Sequence, residues 1–140
     1  MQTPEKRLIN ISEFLSIGIH SLVFMARFYP QPVNVKQLSE HLNFSHAHLS
    51  KVLQRLHKSG LLKAIRGPKG GYTLAKKPSE ITLIQIFETL EGPLPENFCL
   101  YSKPLCKGEN CILGDLIKQI LTLVKKYLSQ TTLEDVKHVF

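Results

Sequence analysis

Three cysteines, Cys99, Cys106 and Cys111, fall within thirteen residues in the spacing C-x6-C-x4-C, and the chain has no others. Pro104, Lys107, Gly108 and Asn110 lie among them and favour turns, so Phe98 to Leu116 is expected to be an irregular loop able to point its sulfurs inward. Thiolates are soft ligands that select zinc, copper(I) or iron-sulfur clusters, and three on one loop can wrap one metal centre. The plain alternative is three unrelated cysteines in a reduced protein, each a small buried hydrophobe. A polar loop rich in Gly and Pro is a poor place for core cysteines, and an odd count does not suit a purely structural disulfide framework.

The rest of the chain must position that loop. Its 140 residues suffice for one domain with an appended segment, and 43% hydrophobic residues can bury a core. Lys plus Arg is 18 against 11 for Asp plus Glu, giving a net charge of +7 and a pI near 9.4. This excess attracts polyanions, nucleic acid first and anionic membrane second. The opening MQTPEKRLIN lacks the apolar run and cleavage site of a signal peptide, and no stretch approaches the roughly 18 apolar residues that span a bilayer. A cytoplasmic protein without membrane association is the expectation, and there thiols stay reduced.

Ser12 is placed to cap a helix reaching about Phe28, where Pro30 and Pro32 end it; Phe14, Ile17, Leu22, Met25 and Phe28 recur at helical spacing. Asn34 starts a short second helix with Val35, Leu38 and Leu42 inward. After the tight connection Asn43-Phe44-Ser45, a third helix is predicted over about His46 to Lys58, with Leu49, Val52, Leu53 and Leu56 as one buried stripe. Its other face carries Ala47, Lys51, Gln54, Arg55 and Lys58, flanked by Ser45, His48 and Ser50. Two short helices, a three-residue turn and a polar, basic second helix make a helix-turn-helix. Leu61 to Arg66 and Tyr72 to Leu74 read as two strands around Gly67-Pro68-Lys69-Gly70-Gly71. This is the wing of a winged helix, with Arg66 and Lys69 on a ribbon narrow enough for a minor groove. Double-stranded DNA is therefore the expected partner. Ser45, Ala47, Ser50 and Gln54 stand nearer base edges, Lys51, Arg55, Arg66 and Lys69 neutralise phosphates or enter the grooves, and His48 belongs to the same DNA-binding surface. A merely solvated basic face is the alternative, weakened by the basic wing that follows.

Thr82 to Glu91 reads as a short helix with Leu83, Ile86, Phe87 and Leu90 inward, broken by Gly92-Pro93. A long helix is predicted from about Ile112 to Leu128, where Leu113, Ile117, Ile120, Val124 and Tyr127 step by 4, 3, 4 and 3, a heptad-like seam that suits pairing with another helix. Leu133, Val136 and Val139 suit a docked final turn. The fold class is thus mainly α: a winged helix-turn-helix with a two-stranded wing and a long C-terminal dimerisation helix. The expected divisions are 1-92 for the DNA-binding domain, 93-111 for the cysteine loop, and 112-140 for the dimerisation helix and tail. Gly67 to Gly71 is no phosphate-binding loop, since it lacks the Lys-Ser/Thr ending and a following helix. His46 and His48, two apart, cannot share a helix face to bind a metal, and no nucleophile-base-orienter set is evident, so an enzyme is not expected.

The succession SHAHLSKVLQRLHKSGLL, RGPKGGYTLA, PSEITLIQIFETLEG, three cysteines and a long helix resembles the Rrf-two family of bacterial transcription regulators, from about Arg7 to Val136. The resemblance implies a homodimer on a palindromic operator, with an iron-sulfur cluster on Cys99, Cys106 and Cys111, 2Fe-2S before 4Fe-4S. It places Ser45 to Arg55 on the recognition helix and Arg66 on the wing arginine. In one member a histidine three residues after the last cysteine completes the cluster; here that position is Gly114, so the fourth ligand must come from elsewhere. Glu109 and Asp115 are near, but Glu13 falls where an acidic residue of the nitric-oxide-sensing member reaches the partner's cluster. The resemblance therefore implies Glu13 as the metal ligand across the dimer. It also implies a repressor whose operator affinity follows nitric oxide, oxygen, redox state or iron. A structural zinc in the loop, or a metal-free thiol-redox regulator, are the competing readings.

Overall fold

Helix α1 (Glu13–Phe28) begins where Ser12, in extended conformation, accepts a 3.1 Å hydrogen bond from the Leu15 N–H. Glu13 in its first turn complements the helix dipole. In the computed structural model, which describes residues 11–101, 105–106 and 111–140, α1 is the central helix of the core, burying Leu15, Ile17, Leu22 and Met25 almost completely. The loop residues Pro104, Lys107, Gly108, Glu109 and Asn110, and the opening through Arg7, lie outside the described residues.

Helix α2 (Val35–Leu42) starts with a capping box: the Gln37 N–H donates to Asn34 Oδ1 at 2.8 Å, and the Asn34 N–H donates to Gln37 Oε1 at 2.9 Å. Asn43 ends it in the left-handed conformation that asparagine tolerates. Ser45 then caps α3 (His46–Lys58) by accepting from the His48 N–H. The predicted stripe of Leu49, Val52, Leu53 and Leu56 is fully buried.

Strands β1 (Leu62–Ile65) and β2 (Gly71–Leu74) pair antiparallel, Leu62 opposite Leu74 and Ile65 opposite Gly71. The first strand is shorter than the predicted Leu61 to Arg66, because Arg66 already belongs to the loop. The wing is anchored at its base, where Val33 and Tyr72 exchange two 2.8 Å backbone hydrogen bonds. A Cβ on Gly71 would run into the Val33 backbone, so glycine there permits this approach.

Helix α4 (Leu83–Glu91) carries the Thr82/Gln85 capping box and crosses α1 where Gly18 faces Leu90. The long helix α5 spans Leu116–Gln130, which corrects the expected start near Ile112. Residues 112–115 form turns, with Gly114 at φ +56° and its N–H bonded to the Cys111 carbonyl at 2.9 Å. Leu113 is therefore outside the helix, and the expected seam divides into two. Ile117, Leu121, Val124 and Leu128 are covered or half-covered, whereas Leu116, Leu123 and Tyr127 are 43%, 68% and 56% exposed with Ile120 half-buried between them. The outward stripe, at 116, 120, 123 and 127, keeps the 4, 3, 4 stepping that pairing helices use.

Past α5 the chain returns to the body. Thr132 bridges Thr82; the Leu83 N–H donates to the Thr131 carbonyl and the Leu133 N–H to that of Ile81, both at 2.9 Å. Helix α6 (Leu133–Val136) and a 3-10 turn over Lys137–Val139 follow. The final turn is docked by Leu133, fully buried in the shared core, and by Phe140 beside Phe24. Val139, expected inward, is 67% exposed. Among the described residues no helix is long and apolar enough to cross a membrane.

Candidate nucleic-acid interface and cysteine cleft

At 100° per residue, the buried stripe of α3 leaves Ala47, Lys51, Gln54 and Lys58 on the opposite face, and all four are exposed. His48 and Arg55 form one flank of that face; His46, Ser50 and His57 form the other. Ser45 and the named residues of both flanks are exposed, except Ser50, which is partly covered. Each flank meets an aromatic ring. Arg55 Cζ lies 5.9 Å from the ring centroid of Phe14 on α1, and the His57 ring lies 6.0 Å edge-on from Tyr72 on β2. Helix α3 is thus braced between the first helix and the wing.

Arg66 and Lys69 are exposed on the loop joining β1 to β2, as expected. Lys63, next to buried Leu62, adds an exposed cation on β1 that the sequence does not single out, since Ala64 and Ile65 beyond it are exposed as well and the strand carries no alternation. Lys36, in the first turn of α2, is likewise exposed and was passed over. Aligned on a helix face and a ribbon, these cations form a surface suited to duplex phosphates.

Cys99, Cys106 and Cys111 are free, exposed thiols, and all three line one cleft of about 1020 Å³. Glu96, Asp115 and Lys118 share its wall with Ile117 of α5. Asp115 stands at the N-cap of α5 without a side-chain capping bond. Among the described residues no three His, Cys, Asp or Glu side chains are grouped to hold a metal ion, so the thiols share a cleft without converging. The donor set nevertheless has the softness and number that a thiolate-bound centre requires. Glu13, exposed at the start of α1, is not among the residues lining this chain's cleft.

A helix-turn-helix with a basic recognition helix and an anchored basic wing defines a winged-helix DNA-binding protein. Residues 11–138 match the Rrf2 family, described as an iron-dependent transcriptional regulator. The chain is 33% identical over 119 residues to the HTH-type transcriptional regulator CymR of Bacillus subtilis, covering 84% of this chain and 82% of that protein. It is 26% identical over 135 residues to the HTH-type transcriptional regulator IscR of Photorhabdus laumondii, covering 96% and 78%. The solved structure of CymR, the global cysteine regulator of B. subtilis, superposes with a TM-score of 0.77 at 28% identity over 94% of this chain and 98% of that one. That of T. potens IscR gives 0.72 at 26% identity over 91% and 85%. The chain belongs to the Rrf2 family and is a transcription regulator, not an enzyme.

Proposed function

We propose that this protein is a cytoplasmic homodimeric repressor whose affinity for a palindromic operator is set by an iron-sulfur cluster on Cys99, Cys106 and Cys111, with 2Fe-2S preferred to 4Fe-4S. The observation that carries the reading is the shared cleft: three free thiols face one space whose wall is the start of α5. When bound, the cluster supplies a centre reactive toward nitric oxide, oxygen or iron status. Holding it requires the three thiols to converge, and Cys111 is hydrogen-bonded through Gly114 to the turn that launches α5. Drawing Cys111 inward therefore pulls on the helix whose outward stripe pairs two chains. A shift there changes the spacing of the two recognition helices. Ser45, Ala47, His48, Ser50 and Gln54 read base edges, while Lys51, Arg55, Arg66 and Lys69 contact phosphates or enter the grooves. Glu13, exposed and outside its own cleft, is the fourth ligand or guard supplied to the partner's cleft.

A second reading is favoured by the unconverged sulfurs and by the relative named as a cysteine regulator. In it the loop holds no metal and the thiols themselves respond to redox state. Anaerobic purification with iron, sulfide and zinc analysis separates the readings. Brown protein with iron and sulfide that vanish in Cys99→Ser, Cys106→Ser or Cys111→Ser supports the cluster. Zinc alone, or colourless metal-free protein, overturns it. Glu13→Ala should keep a cluster but alter its visible spectrum and shorten its lifetime in air; an unchanged spectrum and lifetime would remove Glu13 from the site.

A further inference from the structure

Arg55 belongs to the flank of α3 rather than the centre of its exposed face, and its guanidinium is the one cation of that helix set against an aromatic ring among the described residues. Phe14 is half-buried and packed on the core, so its ring is a fixed surface rather than a free side chain. A guanidinium held over a ring keeps N–H groups directed outward, pre-organised for a bidentate contact with phosphate oxygens, and gives up less rotamer freedom when it binds.

The ring's own position depends on the first turn of α1. Ser12 caps that turn by accepting from the Leu15 N–H, and its hydroxyl donates to Glu91 Oε1. Glu91 is the last residue of α4, immediately before Gly92, where the chain leaves for the cysteine loop. Loop root, α1 cap, ring and guanidinium thus form a continuous series of contacts within one chain.

We infer that Phe14 is a positioning residue for DNA recognition, holding Arg55 toward the phosphate backbone, and that the Ser12–Glu91 hydrogen bond makes this hold sensitive to the root of the cysteine loop. The inference rests on the assignment of α3 as the DNA-reading helix. It adds a route from loop to DNA that requires no movement between two chains. The contact is a partly exposed cation–aromatic pair, so its loss should weaken binding by about two- to fivefold, well short of abolishing it.

The probe is a DNA duplex selected by the wild-type protein from a random-sequence pool, with affinity measured across a salt series. Arg55→Gln should weaken binding and lower the slope of log K against log salt by about 0.9, one phosphate contact. Phe14→Leu should weaken it about threefold, Phe14→Tyr should retain wild-type affinity, and Phe14→Leu should cost nothing further in the Arg55→Gln background. Glu91→Ala should weaken binding in the wild-type background and have no effect beside Phe14→Leu. If Arg55→Gln leaves affinity and slope unchanged, the DNA assignment of Arg55 fails and the inference goes with it. If Arg55→Gln behaves as expected but Phe14→Leu is equally harmful with or without Arg55, Phe14 is only a core residue and the inference alone is wrong. Additive effects of Glu91→Ala and Phe14→Leu would sever the connection to the loop.

Discussion

Arg66 tests the wing at the level of one side chain. It is exposed on the loop between β1 and β2 and supports no core contact, so its removal should leave the fold intact. Arg66→Ala is expected to weaken operator binding and lower the salt slope by about 0.9; unchanged affinity would take the wing out of the interface. Residues of this kind were legible in the sequence because they need only a helix face or a turn to present them. Ala47, Lys51 and Gln54 followed from the periodicity of Leu49, Val52, Leu53 and Leu56, since a buried stripe dictates the face opposite. The thiols were legible in part. Clustering in a turn-rich segment led to the expectation of sulfurs pointed inward around one centre; the three thiols line one cleft but are exposed and do not converge, a matter of loop geometry that spacing does not encode.

Helix α5 shows how a regular pattern can be placed correctly and still be started in the wrong turn. Ile112, Leu113 and Leu116 continue the apolar spacing backwards, yet Gly114 at φ +56° breaks the helix before Leu116. The proposed pairing stripe consequently turns by about 50° on the helix, from the mixed set beginning at Leu113 to Leu116, Ile120, Leu123 and Tyr127. Two substitutions separate the stripes. Leu123→Glu, at a position 68% exposed, should fold normally but sediment as a monomer, because it places a charge in the proposed chain–chain contact. Ile117→Glu, at a position 3% exposed, should instead destabilise the chain itself by several kcal/mol, seen as a lowered melting temperature. A dimeric Leu123→Glu would place the interface elsewhere.

The whole molecule is closed by its tail, and this was the least legible part: a pairing of Thr82 with Thr132 involves too few residues to leave a periodic trace. The closure has a titratable element. The Thr132 N–H donates to Asp135 Oδ2 at 2.8 Å, and its hydroxyl adds a bond at 3.1 Å; these hold the Asp135 carboxyl below its ordinary 3.8, backbone first. A depressed carboxyl stabilises the folded tail above the ordinary value, and that contribution is lost as pH falls through the lowered one. Exchange of the Leu133 amide should therefore accelerate, relative to intrinsic exchange, only below about pH 4, and Asp135→Ala should show the faster exchange already at neutral pH. An Asp135→Ala protein with wild-type protection would detach the carboxyl from the docking.

Because the backbone around Thr131 to Leu133 is paired with Ile81 to Leu83, the forty-odd residues between them form a loop whose two ends are fastened without any covalent crosslink. Continuity of the chain through that excursion is then dispensable to the body. A protease site introduced at Leu105, which is 84% exposed, should yield two fragments that copurify and melt together, the smaller retained by Leu133, Leu128 and Phe140 in the common core. The two pieces should also reassemble when expressed separately, so that a severed polypeptide recovers DNA binding by complementation.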